Sequence, residues 1–158
     1  MATDKTHQYK ATIKWTGNKG SGTSHYQAYE RDYLISIDSK ENIVGSSDPA
    51  FRGDKTKHNP EELLVSSLSA CHMLWYLHLC SQEGIVVTDY MDNVTGIMKE
   101  TDNGSGHFTE LTLEPAVTVT EPEMIAKAIE LHKKANELCF IANSVRFPVF
   151  HSPTVRSK

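Results

Sequence analysis

A chain of 158 residues is long enough to bury one real core and too short for two independent ones, so a single domain over residues 1–158 is expected. The formal charge is -4, with acidic and basic residues interspersed. No stripe of Lys or Arg is present to favour a nucleic-acid backbone or an anionic membrane as partner. Three cysteines without CxxC spacing do not make the framework of a secreted, disulfide-stapled domain, so thiols are their default state.

The N-terminal stretch "MATDKTHQYK" is polar and lacks the apolar core of a secretory signal, which points to the cytoplasm. From Tyr9, "YKATIKW" alternates apolar and polar residues, breaks at the Gly-rich "TGNKGSGTS", and resumes in "HYQAYERDYLISID". This pattern predicts an N-terminal antiparallel meander. The following segment, "SKENIVGSSDPAFRGDKTKHNP", has no sustained period and reads as a long loop of the kind that often carries function.

A long helix is predicted next. Asn59 is a favoured N-cap, Pro60 suits the first helical position, and Glu62 completes a capping box. Gly84 supplies the stop, giving roughly 24 residues and about 36 Å of helix. Its longest apolar run, Met73 to Leu79, is interrupted by His78 and falls short of the about 20 residues that cross a bilayer, so no membrane span is expected.

Strand-like alternation returns in "IVVTDYMDNVTGIMKE" and "HFTELTLEPAVTVT", which flank the turn "TDNGSG" as a hairpin. In "TEPE" Thr120, Pro122 and Glu123 repeat the cap chemistry ahead of a second helix carrying Ile125, Ile129, His132 and Ala135 at helical spacing. Strands, helix, strands, helix and a tail make an α+β fold.

Cys71 and Cys80 are nine residues apart on one helix, hence on opposite faces and about 13 Å apart along its axis. A disulfide needs Cα atoms within about 7 Å, so these two cannot pair, and Cys139 is the only intrachain partner left for either. Spacing does not decide which. Cys80, between Leu79 and the helix end, suits a small packing residue. Cys71 differs because Ser66, Ser67, Ser69 and Ala70 before it leave room for a ligand or another backbone.

A buried thiol is inert unless a cation supports its thiolate, and mid-helix Cys71 is out of reach of the helix N-terminus. Arg31, Arg52 and Arg146 are the candidates, and Arg52 sits in the mobile loop. His72 adjoins Cys71, but neighbouring helical residues diverge by about 100° and do not readily form a nucleophile pair. His72 and His78 read as polar edges of the helix, and His132 as part of an amphipathic face. The cluster His58, Cys71, His72, His78 and Cys80 lacks HxxxH or CxxC spacing, so no metal is expected. Glu61 has a simple role too, since acids in the first turn favour the helix dipole.

"NPEELLVSSLSAC", followed some distance later by "HKKANELCFIANSV", resembles the OsmC/Ohr family of organic hydroperoxide peroxidases over nearly the whole chain. The resemblance implies an intertwined homodimer with sheets wrapped around central helices. It also implies an organic hydroperoxide as substrate, Cys71 as the peroxidatic and Cys139 as the resolving cysteine, with Arg52 and Glu61 supporting the thiolate. No cofactor is implied beyond an external dithiol reductant, such as a dihydrolipoyl-type one. Glu61 lies about 15 Å along a straight helix from Cys71, so Arg52 would have to bridge from the side. The chain departs from the family in carrying Phe140 where many members have proline after the second cysteine, which would let the helix run on. Two other readings keep the fold: a non-enzymatic binding protein for an apolar ligand, and a thiol–disulfide exchange enzyme.

Overall fold

The computed structural model describes residues 5–158; the first four residues of the polar N-terminal stretch lie outside the described residues. The chain is organised in two compact units, one ending at Leu63 and one running from Leu64 to Lys158.

The first unit is built on an antiparallel sheet of β1 (Thr12–Trp15), β2 (Tyr33–Ser36) and β3 (Ile43–Gly45), in that order. The predicted meander is therefore present, with its strands shorter than the sequence pattern suggests. The stretch before Tyr33 is spent on turns held by Arg31, whose guanidinium stacks on Tyr26 and Tyr29 at 4.3 and 4.2 Å. The expected long loop is also corrected, because it contains β3. Gly45 pairs with Tyr33 across the sheet, and a Cβ there would come within 2.2 Å of the Tyr33 ring. Only glycine lets that ring lie flat over the strand.

The long helix, α1 (Pro60–Gln82), begins as the sequence dictates. The Glu62 N–H donates to Asn59 Oδ1 at 2.8 Å, and the Asn59 N–H donates to Glu62 Oε2 at 3.1 Å. This reciprocal pair satisfies two N–H groups that a helix start leaves without partners. The helix yields to Gly84 at φ +71, where glycine pays no steric penalty.

In the second unit the predicted hairpin is present but broken into two storeys. β5 (Thr95–Glu100) and β6 (Gly106–Leu113) form its tip, and β4 (Val87–Asp92) and β7 (Pro115–Val119) its base. Asp92 makes the break: its carboxylate accepts the Glu114 N–H at 2.7 Å and the Ser69 hydroxyl of α1 at 2.5 Å. The bend thus keeps the Glu114 N–H satisfied and is tied to the helix.

The tail is not irregular. β8 (Val149–His151) pairs parallel with β6, and β9 (Thr154–Ser157) parallel with β7, completing sheets ordered β5-β6-β8 and β4-β7-β9. Parallel partners need a long crossover, and the second helix, α2 (Ile125–Leu138), provides it. The expected cap of α2 does not form. Pro122–Met124 is a 3-10 turn, and the Thr120 hydroxyl points to the Met124 sulfur at 3.6 Å instead.

One row of α1, Leu68, His72, Tyr76 and Cys80, is fully buried. Leu68 packs with Leu111 and Leu113 of β6; Tyr76 and Cys80 pack with Val117 and Val119 of β7 and with Ala128, Leu131 and Ala135 of α2. By length and composition α1 also meets the requirement for crossing a bilayer, which the shorter run Met73 to Leu79 does not. Its buried row is instead seated on the sheet and α2.

Candidate active site

On the side of α1 away from that buried row, Ser67, Ala70, Cys71, Leu74, Trp75 and His78 line a cavity of about 580 Å³, closed beyond α2 by Phe140 and Ile141. The spacing of Ser67, Ala70, Leu74 and His78 is that of one helix face. Small residues at the Ser67 and Ala70 levels open the space, and the walls are almost wholly apolar. Trp75 meets Phe140 edge to face at 5.4 Å and His78 at 5.8 Å, a geometry that aromatic rings favour. Trp75 lines the cavity, whereas Leu68 belongs to the core. Leu74 and Phe140, also in the lining, are 63% and 67% exposed.

Cys71 is half-buried at the cavity wall, and the fully buried Cys139 lies beside it; both are free thiols, as is Cys80. Burial pushes the Cys139 thiol up to about 11 and the neighbouring Cys71 thiol adds to the rise, while the Ala142 N–H, 3.4 Å from its sulfur, works the other way. Cys80 is held up by burial too, partly offset by the Tyr76 hydroxyl. It faces the core, not the cavity.

Phe140 does not prolong α2. The helix stops at Leu138, and Cys139 is extended at φ −65 and ψ 114. The Asn143 side chain donates to the Glu137 carbonyl at 3.0 Å and the Asn143 N–H to the Cys139 carbonyl at 3.0 Å. These bonds take up helix-end acceptors without a proline.

Among the other expected residues, Arg52 and Glu61 belong to the first unit. Arg52 follows a 3-10 turn at Pro49–Phe51 and has φ 66, a left-handed conformation that a non-glycine residue adopts at a cost. Its guanidinium lies 5.8 Å from the Tyr26 ring centroid. Glu61 stands half-buried in the first turn of α1, where it and Glu62 help to raise the Tyr33 hydroxyl after burial has done most of that work. Arg146, in the second unit, lines a different hollow with His107 and Phe147. Arg31 is committed to Tyr26 and Tyr29.

His72 departs from its expected place at a polar edge, whereas His78 is exposed on α1 and His132 lies on the inward face of α2. His72 and His132 are fully buried, with His72 Nε2 and His132 Nδ1 at 3.0 Å and the rings nearly parallel. Tyr76 stacks on His132 at 3.8 Å, and His151 of β8 stands 6.0 Å from His72. The available signal was the i, i+4 row of α1, in which His72 occupies a core position between Leu68 and Tyr76. Among the described residues no group of three or more His, Cys, Asp or Glu side chains is placed to hold a metal ion.

The family model for OsmC-like protein matches residues 53–152, more than half of the chain. This chain belongs to the OsmC-like protein family. An OsmC-like protein of unknown function from Vibrio cholerae superposes with a TM-score of 0.85 at 28% identity, covering 94% of this chain and 100% of that one. An OsmC-like protein from Mycoplasma pneumoniae shares the fold at TM-score 0.71 and 18% identity, covering 97% and 99%. An organic hydroperoxide resistance protein from Elizabethkingia anophelis does so at TM-score 0.69 and 18% identity, covering 99% and 100%. No curated protein matches the chain in sequence.

In this OsmC-like chain the buried histidines make stability depend on pH. Burial lowers His72 to about 4 and His132 to about 3, and lowers His151 as well. Unfolded histidines titrate near pH ~6.5, so as pH falls below that value the unfolded chain binds protons the folded chain refuses. The stability these two rings contribute is therefore complete above that pH and is lost as pH falls towards about 4 for His72 and about 3 for His132, by up to about 1.4 kcal/mol per pH unit for each of the two. Urea unfolding across this range should show the slope, and the double variant His72→Gln/His132→Asn should flatten it. An unaltered slope would contradict the assignment.

Proposed function

We propose that the chain is a thiol-dependent peroxidase that reduces organic hydroperoxides through Cys71 and Cys139. The observation that carries this reading is the pair of free thiols, Cys71 at the wall of an apolar cavity and Cys139 beside it. Membership of the OsmC-like family supports it.

In this reading the Cys71 thiolate attacks the terminal oxygen of the hydroperoxide and the O–O bond breaks. The alkoxide leaves, takes up a proton as the alcohol, and Cys71 becomes a sulfenic acid. The Cys139 thiol then condenses with it, forming the disulfide and releasing water. An external dithiol restores both thiols by exchange through a mixed disulfide, being itself oxidised. The apolar walls around Cys71 suit an alkyl or aryl group. For Glu61 as a companion of the thiolate, support comes from the family motif in which it stands; for Arg52 as its cation, support comes from its place close to the family's arginine position and from its left-handed backbone, an outlier of the sort found where function demands it. Turnover would take place in the cytoplasm.

A second copy of the chain is the proposed cover for the open side of α1, in keeping with the homodimer of the family. The support within the chain is that α1 is apolar nearly all round yet buries only one row, leaving its Leu74 exposed next to Phe140, which follows α2 and is exposed too. Light scattering should give about twice 17.7 kDa; a monomer at micromolar concentration would contradict the dimer.

The chemistry is tested by adding one equivalent of cumene hydroperoxide to the reduced protein and mapping the cysteines by mass spectrometry. The expected product is a Cys71–Cys139 disulfide, absent in Cys71→Ser, with Cys71 trapped as sulfenic or overoxidised acid in Cys139→Ser. Thiols left unchanged would reject the peroxidase and favour the cavity as the site of a binding protein for an apolar ligand.

A further inference from the structure

Two features of the His72–His132 contact have no part in the chemistry above. It joins α1, which carries Cys71, to α2, which ends one residue before Cys139, and it leaves polar atoms buried. His72 directly follows Cys71 on α1, and His132 lies two turns before Cys139 on the chain of α2. Among the described residues, their 3.0 Å hydrogen bond is the one side-chain hydrogen bond between α1 and α2. Beside it, Tyr76 of α1 stacks on His132 at 3.8 Å, and the packing of side chains such as Cys80 with Ala128, Leu131 and Ala135 tolerates sliding, whereas a hydrogen bond weakens steeply with small displacements.

The arrangement is costly. One ring donates and the other accepts, so His72 Nδ1 and His132 Nε2 are left buried with no partner whichever tautomer is present. Two leucines would fill the space without that penalty. The groups facing the pair are Tyr76 from α1, Tyr90 from β4 and His151 from β8, and none of them is a carboxylate or a lysine or arginine. With burial holding both rings neutral, the bond is a neutral one, governed by geometry.

We propose that His72 and His132 are positioning residues: their hydrogen bond fixes α2 against α1 so that the Cys139 thiol meets Cys71. A disulfide requires Cβ atoms about 3.5–4.5 Å apart, so a slip of one residue, about 1.5 Å along a helix, is enough to spoil it. Use of this device in turnover rests on the two-thiol reading above, but the device itself does not.

The test is the equilibrium between the Cys71–Cys139 dithiol and glutathione disulfide, which form the protein disulfide and two glutathione thiols without any peroxide. In the full chain, His132→Leu should lower the equilibrium constant by about tenfold or more, and His132→Asn, whose amide stands where Nδ1 stood, should stay within about threefold of wild type. His72→Leu and His72→Gln form the same contrast at the other ring, with Gln replacing Nε2, and serve if a leucine variant at one position fails to fold. Equal constants for the leucine and amide variants, whether both unchanged or both reduced, would overturn the proposal. If the wild type forms the disulfide with glutathione disulfide but not with cumene hydroperoxide, the peroxidase reading falls and the positioning role stands. Normal peroxide-driven disulfide formation with an unchanged constant in the leucine variants would keep the peroxidase and remove the positioning role.

Discussion

A helix of 23 residues that is apolar nearly all round is stable in water only where something covers it, and the cover over α1 is uneven. The row Leu68, His72, Tyr76 and Cys80 is sealed by β6, β7 and α2, while the opposite row faces a cavity. Burial of one row is the hydrophobic term that seats the helix. It also sets where each cysteine lies. Cys80 falls on the sealed row and packs in the core. Cys71, nine residues earlier, falls at the border of the cavity, with the Cys139 thiol beside it.

The same geometry relates the rest of the second unit to the site. Asp92 breaks the long hairpin and ties it to Ser69, two residues before Cys71. The crossover through α2 delivers Cys139 to α1 and then returns the chain as two parallel strands. Because α2 ends at Leu138, Cys139 sits on extended backbone and is released from the helical ladder.

What the sequence made legible were features written in local chemistry. The capping box at Asn59 and Glu62, the glycine stop at Gly84, the alternation of the paired strands and the α+β order all appear as read. Features set by distant partners were not legible. The break at Asp92 depends on the N–H of Glu114, and the strands after α2 depend on edges offered by β6 and β7. The Thr120 cap failed because a 3-10 turn came first, and the chain past Cys139 turned because Asn143 competes for the helix-end carbonyls. His72 reads as a polar edge by its residue type, although its place four residues after Leu68 and four before Tyr76 marks it as core. Cys71 and Cys139 are paired by family motif, since spacing leaves the partner undecided. Glu61 likewise owes its assignment to the motif, and Arg52 to its place close to the family's arginine position.

The central claim is that an apolar cavity beside Cys71 makes this chain a peroxidase for organic substrates. The most direct measurement is the second-order rate of Cys71 thiol loss in the reduced protein, with cumene hydroperoxide and hydrogen peroxide compared under identical conditions. A hydrophobic pocket should favour the organic peroxide by about tenfold or more. Equal rates, or a preference for hydrogen peroxide, would contradict the claim.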